Sequence, residues 1–207
     1  MGHSQESKAQ SRDKIVNAAA ERIRDSGLFG FSIADVMSDA KLTHGGFYVH
    51  FESRDQLLAA ALEHALHESG VVYNADRALS LQQVITQYLS RAHRDRPHQG
   101  CAVAALGSEI ARTDGAVRDV MSAHLQKYFA RISELLVEAT GAEANNARWH
   151  ELTIPIVSVL NGALTLSRLI DDRALSDRVL AEAREYLLKL VNKAALRPRN
   201  ARRQKTE

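Results

Sequence analysis

The stretch Ser32-Ile-Ala-Asp-Val-Met-Ser-Asp-Ala-Lys-Leu-Thr-His-Gly-Gly-Phe-Tyr-Val-His-Phe-Glu-Ser-Arg-Asp-Gln-Leu-Leu58 decides how this chain folds. Ser32 and Asp35 have the spacing of a capping box, in which the hydroxyl accepts an orphan N–H and the acid reaches back. Ile33, Val36, Met37 and Ala40 then fall at helical spacing and give one buried face. Thr43 can cap a second short helix. In it Phe47 and Phe51, four residues apart, anchor inward and turn Tyr48 and His50 elsewhere. Gly45 and Gly46 each cost about 1 kcal/mol against Ala in a helix, a cost that suits backbone approaching something closely. Ser53 and Gln56 make a second capping box, and Leu57, Leu58, Ala61, Leu62, Ala65 and Leu66 continue as an amphipathic helix. Two short helices at a tight angle, the second with small and polar residues on one side, are the build of a helix-turn-helix. Its second helix enters the DNA major groove.

Upstream, Ser11 to Asp25 reads as another helix with Ile15, Ala19 and Ile23 as its apolar stripe. Gly27 ends it, as glycine does just past a helix terminus. The run from Lys14 to Leu58 resembles the N-terminal domain of the TetR/AcrR family of transcriptional regulators. The matching residues are Ile15, Ala18, Ala19, Gly27, Phe31, Ser32, Ile33, Val36, Leu42, Thr43, Gly46, Phe47, Tyr48, His50, Phe51, Arg54 and Leu57-Leu58. The Gly-Phe-Tyr-x-His-Phe core makes the match specific. The chain departs at Met37-Ser38-Asp39-Ala40, where members more often have an Ala-rich stretch, and at His44-Gly45, where Lys or Pro is commoner. These departures leave the operator sequence open.

A length of 207 residues means one large or two small domains, and 45% apolar with 25% charged residues favours a folded, mainly helical protein. No apolar run is long enough to span a bilayer, so no membrane partner is expected. The single Cys101 excludes an internal disulfide and suggests a reducing, cytoplasmic setting. The charge cuts partly against DNA. Residues 1–70 hold 7 Lys/Arg and 10 Asp/Glu, a formal −3. Placement offsets this: Lys8, Arg12 and Lys14 lie before or at the start of the first helix, Lys41 in the turn and Arg54 at the start of the last. With so few cations to displace counterions, non-specific affinity should be modest.

The rest of the chain reads as helices over Leu81–Ala92, Cys101–Arg112, Val117–Glu138, Trp149–Ile170 (Pro155 marking a kink or a late start) and from a Ser176 cap to about Ala195. Residues 94–100 and 141–146 are polar breaks. The expected architecture is all-α. A three-helix helix-turn-helix DNA-binding domain spans 11–71, a helical effector-binding and dimerisation domain 72–196, and a basic, disordered tail 197–207.

For the DNA interface the resemblance implies Thr43, Tyr48 and His50 as phosphate- and groove-contacting positions. Ser32 adds a hydroxyl and an N–H at a helix start, and Arg54 a phosphate clamp. Lys41 lies in the turn, His44 is the base-reading candidate, and Gly45 and Gly46 let the backbone close on the duplex. By the same resemblance the last two helices form a homodimer's four-helix bundle. Ile156, Leu160, Ala163 and Leu164 on one helix and Leu180, Leu187 and Val191 on the other supply its interface stripes, and a twofold protein fits a palindromic double-stranded DNA operator. The C-terminal domain then senses a small-molecule effector, with Tyr88, Cys101, Leu106, Tyr128, Phe129, Trp149 and Asn161 lining an apolar cavity. Few ionisable residues lie there, so the effector is expected to be neutral or aromatic. Alternatives are a repressor that senses oxidants or electrophiles through Cys101 at a helix start, and a helical interaction adaptor without DNA binding. No catalytic constellation, cofactor motif or strong metal-ligand spacing appears, so neither an enzyme nor a cofactor or metal protein is expected.

Overall fold

The computed structural model describes residues 2–68, 79–97, 100–141 and 151–196. Its elements are α1 (Gly2–Ser26), α2 (Ile33–Asp39), a 3-10 helix (His44–Val49), α3 (Arg54–Glu68), α4 (Leu81–Tyr88), α5 (Arg91–Arg94), α6 (Ala102–Ile110), α7 (Ala116–Thr140), α8 (Thr153–Leu169) and α9 (Arg173–Ala195). No strand occurs among the described residues. They form two compact units: Met1–Gly70 with Arg96–His124, and Val71–Asp95 with Leu125–Glu207.

In the first unit α1 lies along α3, and Ile15, Ala19, Ile23, Leu57, Ala61 and Leu62 are fully buried. Each large aliphatic side chain so buried contributes about 1.5–3 kcal/mol. The remaining α1 residues are mostly polar and exposed, so the helix is amphipathic as read, but it starts at Gly2 rather than near Ser11. Lys8 and Arg12 are therefore helical. After Ser26 the chain turns through Gly27 at φ +76°, a conformation that L side chains rarely adopt. α6 touches both α1 and α3, so residues 96–124 join the unit expected to stop at 71.

In the second unit α8 lies against α9, and α4 against both. Ser80 and Gln83 close a capping box at the start of α4. α4 ends at Tyr88, four residues before the expected Ala92, because Ser90 caps a new short helix, α5. Pro155 stands in the first turn of α8, where its missing N–H costs nothing, and the helix starts late at Thr153. α9 starts three residues before its expected cap. Asp172, not Ser176, takes the free amides of Ala174 and Leu175, and Ser176 is buried with its hydroxyl donating to the Ser167 carbonyl at 2.6 Å. The tail 197–207 lies outside the described residues.

Candidate nucleic-acid interface

The capping box at α2 forms as the sequence requires. Asp35 N–H donates to Ser32 Oγ at 3.2 Å, and Ser32 N–H and O–H both donate to Asp35 Oδ2 at 2.7 Å. Those two donors hold the Asp35 carboxyl below the usual range. Ser32 does not have that N–H and hydroxyl free for DNA, contrary to the expectation from sequence. Both are already taken, so its part is to fix the start of α2. Val36 and Met37 are buried beneath the turn, and Lys41 at φ 57° swings the chain round while Leu42 N–H bonds the Met37 carbonyl.

The second helix of the motif differs from expectation in kind. Residues His44–Val49 wind as a 3-10 helix, and Thr43 stands at its N-cap without a side-chain bond. Two adjacent glycines lower the helix propensity of the segment, and 3-10 helices occur in short pieces such as this one. Phe47 is fully buried and stacks on Phe51 with ring centroids 5.7 Å apart, which anchors the segment as read. Thr43, His44, Gly45 and Tyr48 face outward, Tyr48 with 69% of its surface exposed and its ring edge-on to Phe47. A side chain added at Gly45 would meet no described atom within 4 Å, while one at Gly46 would only touch Met37 and Thr43 at ordinary distance. Neither glycine is required by crowding among the described residues.

His50 is half-buried at the far end of this segment, and its Nδ1 is shielded with no hydrogen-bond partner among the described residues. Burial, then Lys8 and Arg12, push its imidazole below its ordinary pKa. Arg54 is the second residue whose expected role changes. Its Nη2 donates to the carbonyls of Leu28 at 2.7 Å and Phe31 at 3.2 Å, and its guanidinium lies over the Phe31 ring. It clamps the loop between α1 and α2 and does not stand ready for phosphate. Opposite it, Glu109 of α6 accepts the Leu28 N–H at 2.8 Å. A Cβ at Gly27 would come within 2.5 Å of that carboxylate, so Gly27 is needed for room as well as for φ. Arg22 and Asp39 tie α1 to α2 by a pair of bonds at 2.6 and 3.1 Å.

The expected effector residues divide between the units. Cys101 and Leu106 belong to the first, with Cys101 half-buried at the N-cap of α6 and Leu106 buried. Tyr88, Tyr128, Phe129 and Asn161 belong to the second; Tyr88 and Tyr128 are buried and Phe129 and Asn161 half-buried. Tyr88 and Asn161 meet: the phenol O–H donates to Asn161 Oδ1 at 3.1 Å and Asn161 Nδ2 donates to the Val157 carbonyl at 3.0 Å. Two of the expected polar handles are thus bonded within the chain. Trp149 lies outside the described residues.

The expected interface residues need correction. Ile156, Leu160, Ala163, Leu164, Leu180, Leu187 and Val191 are all buried within the lone chain, where α8 meets α9 and α4. Side chains without surface have none to give a partner. The open side of α8 instead carries Ile154, Ser158, Gly162, Leu166 and Leu169, and that of α9 carries Leu175 and Tyr186.

The sequence also passes over a polar junction in the second unit, where residues 94–100 read as a loop. Arg94 is buried. It donates to Asp95 Oδ1 at 2.8 Å, Ser176 Oγ at 2.8 Å and Asp177 Oδ1 at 2.7 Å. Arg94 and then Arg173 lower the Asp95 carboxyl to about 2. Arg168 Nη2 donates to the His93 carbonyl at 3.0 Å, and His93 Nδ1–H donates to that of Tyr88 at 2.7 Å. The partners that Arg94 finds in Ser176 and Asp177, and His93 in Arg168, lie far apart in sequence, so no local spacing announces them.

With this geometry in hand, the comparisons with known proteins decide the family. Residues 15–61 match the profile described as bacterial regulatory proteins, tetR family, and residues 78–183 match the tetracyclin repressor-like C-terminal domain. The chain belongs to the TetR family of transcriptional regulators. A relative in Mycobacterium tuberculosis, an uncharacterized HTH-type transcriptional regulator, is 30% identical over 186 residues, 86% of this chain and 94% of its own. A TetR transcriptional regulator from Chloroflexus aurantiacus has the same fold with a TM-score of 0.70, 23% identity, and coverage of 89% of this chain and 97% of its own. The reduced form of NemR from E. coli aligns with a TM-score of 0.66 at 15% identity over 86% of this chain and 95% of its own. The protein is a DNA-binding transcriptional regulator, and the all-α helix-turn-helix architecture read from the sequence stands. Among the described residues no helix is long and apolar enough to cross a membrane.

Proposed function

We propose that this regulator is a homodimeric repressor that holds a palindromic operator and leaves it when a neutral, moderately hydrophobic small molecule binds among its C-terminal helices. The open face of Thr43, His44 and Tyr48 carries the proposal. Its polar groups point to solvent, and the space before Gly45 is empty of described atoms. His44, at the leading end of the segment, is placed to read a base edge, and Tyr48 and Thr43 to donate to phosphate oxygens. Lys41 is exposed beside them.

The apolar open side of α8 and α9 supports the second subunit. Ile154, Ser158, Gly162 and Leu166 recur every fourth residue, and a Cβ placed on Gly162 would meet no described atom within 4 Å, which allows close approach of another helix. The effector must prefer the protein off DNA, and DNA must weaken effector binding by the same factor. Footprinting on the duplex upstream of its own coding region tests the repressor. The expected result is a protected palindrome with one half-site per subunit, lost in Tyr48→Ala. Protection unaffected by Tyr48→Ala, or a monomer on sedimentation, would remove this proposal. A second version is favoured by Cys101, half-buried at the N-cap of α6, the helix that also carries Glu109. Alkylation of the thiol that released DNA from the wild type and not from Cys101→Ser would move the sensing step there.

A further inference from the structure

Three buried hydroxyls of the second unit are spent on backbone carbonyls. Thr140 donates to Leu136 at 2.7 Å, Ser167 to Leu164 at 2.8 Å and Ser176 to Ser167 at 2.6 Å. Thr153 is different. It is fully buried, and its Oγ1 has no hydrogen-bond partner among the described residues. Its place in the chain is the reason. A threonine inside a helix can turn its hydroxyl back to the carbonyl four residues earlier, as Thr140 does. Thr153 is the first residue of α8, so no helical turn precedes it. Nor does it cap the helix: Leu152 holds that position and makes no side-chain cap bond. A hydroxyl buried in this way carries a desolvation cost that no bond offsets, and native proteins keep few of them.

The first amides of a helix have no acceptor inside it. In α8 Pro155 contributes none, which leaves those of Thr153 and Ile154. Helical side chains lean toward the N-terminus, so the Thr153 hydroxyl stands at the same end as these amides. All three are neutral donors at the positive end of the helix dipole, and their complement is an acceptor. One and two turns further on, Ile156, Val157 and Leu160 are buried and apolar. We infer that the amino end of α8, with Thr153 as its donor, is the polar anchor of the small-molecule site, and that the effector is a hydrophobic compound ending in a neutral carbonyl oxygen. The inference rests on the reading that the C-terminal helices take a small molecule. An apolar wall with a few placed polar groups is the usual make-up of such a site. Burial selects a neutral oxygen over a carboxylate. No described cation meets the Thr153 hydroxyl, and an unpaired anion in an apolar interior is far costlier than a carbonyl. The anchor also stands in for the handles that Tyr88 and Asn161 have committed to each other.

Differential scanning calorimetry of the full-length protein tests this with three probes of similar shape at equal concentration. Acetophenone has the carbonyl, ethylbenzene lacks it, and benzoate carries a charge in its place. Acetophenone should raise the unfolding midpoint of the wild type and of Thr153→Ser, and most of that rise should be lost in Thr153→Val. Ethylbenzene should raise the wild type and Thr153→Val by the same, smaller amount. Without any probe, Thr153→Val should unfold about 2–4 °C above the wild type, because it deletes the unbonded hydroxyl and keeps the shape. A threonine that only holds the fold would give the opposite sign. A lower midpoint for Thr153→Val, or an acetophenone rise that survives in it undiminished, overturns the anchor. A rise with ethylbenzene as large as that with acetophenone overturns it too, and leaves the small-molecule reading standing. A larger rise with benzoate than with acetophenone overturns the neutral carbonyl. No rise with any of the three removes the small-molecule reading on which the anchor depends.

Discussion

The recognition segment and the Arg94 junction at the end of α5 are both short stretches that carry polar side chains, and they spend their polar groups in opposite directions. In the recognition segment Thr43, His44 and Tyr48 face water while Phe47 is buried beneath them. Around His93 to Asp95 the polar groups end on one another and on α8 and α9: Arg94 on Ser176 and Asp177, Ser176 on Ser167, Arg168 on the His93 and Arg94 carbonyls. A buried polar group must be bonded within the protein or incur a desolvation cost. A polar group that the protein leaves unused at its surface is free to bond something else. By that contrast the junction holds the second unit together, and the segment serves a partner.

The largest effect that would test the contrast is at the junction. Arg94→Ala removes the bonds to Asp95, Ser176 and Asp177, leaving Asp177 with Arg91 and Ser176 with the Ser167 carbonyl, and truncating the buried member of such a network costs on the order of 3 kcal/mol. The unfolding midpoint should drop by several degrees; a midpoint unchanged within a degree would mean that the junction is not what secures α9. Tyr48→Ala should do the reverse. Its phenol is exposed, so the midpoint should barely move while DNA affinity falls about tenfold, a difference of about 1.4 kcal/mol. Ser32→Ala sits between the two: loss of the α2 cap costs about 1 kcal/mol of stability, and binding weakens only as α2 frays. A binding loss as large as that of Tyr48→Ala, with stability intact, would return Ser32 to the DNA contacts.

The smallest effect is a pH dependence within the junction. Burial, against the pull of the Tyr88 carbonyl, pushes the His93 imidazole below 6.5. The unfolded chain then takes up the proton first, so stability is full above 6.5 and declines as pH falls toward the depressed folded value. His93→Gln should flatten the fall in unfolding midpoint between about pH 7 and pH 5. An unaltered fall would assign the acid sensitivity to other groups.

What is legible in the sequence is local. The Ser32–Asp35 cap, the Phe47–Phe51 anchor, the Gly27 stop and the late start at Pro155 each depend on residues within four positions of one another, and each stands where its spacing puts it. What depends on distant partners is not legible. Arg54 at a helix start looks the same whether it faces DNA or, as found, the Leu28 carbonyl. Ser32 looks the same with its donors free or spent. α8 is apolar over most of its circumference, so its pattern cannot tell the side that faces α9 from the side left open, and the inner stripe reads as a subunit interface. The Arg94 junction joins residues some eighty positions apart, and no spacing rule covers such a distance.

The carboxylate of Glu109 has a practical consequence for anyone who would transplant this reading head. A chimera cut near residue 70, soon after α3 ends, would leave α6 behind. The Leu28 amide would lose its acceptor, and the tight bend at Gly27, shaped around that acid, would face a void. A portable DNA-reading module from this protein therefore has to carry its own α6, or a substitute acid at the same place, although a long stretch of unrelated chain intervenes.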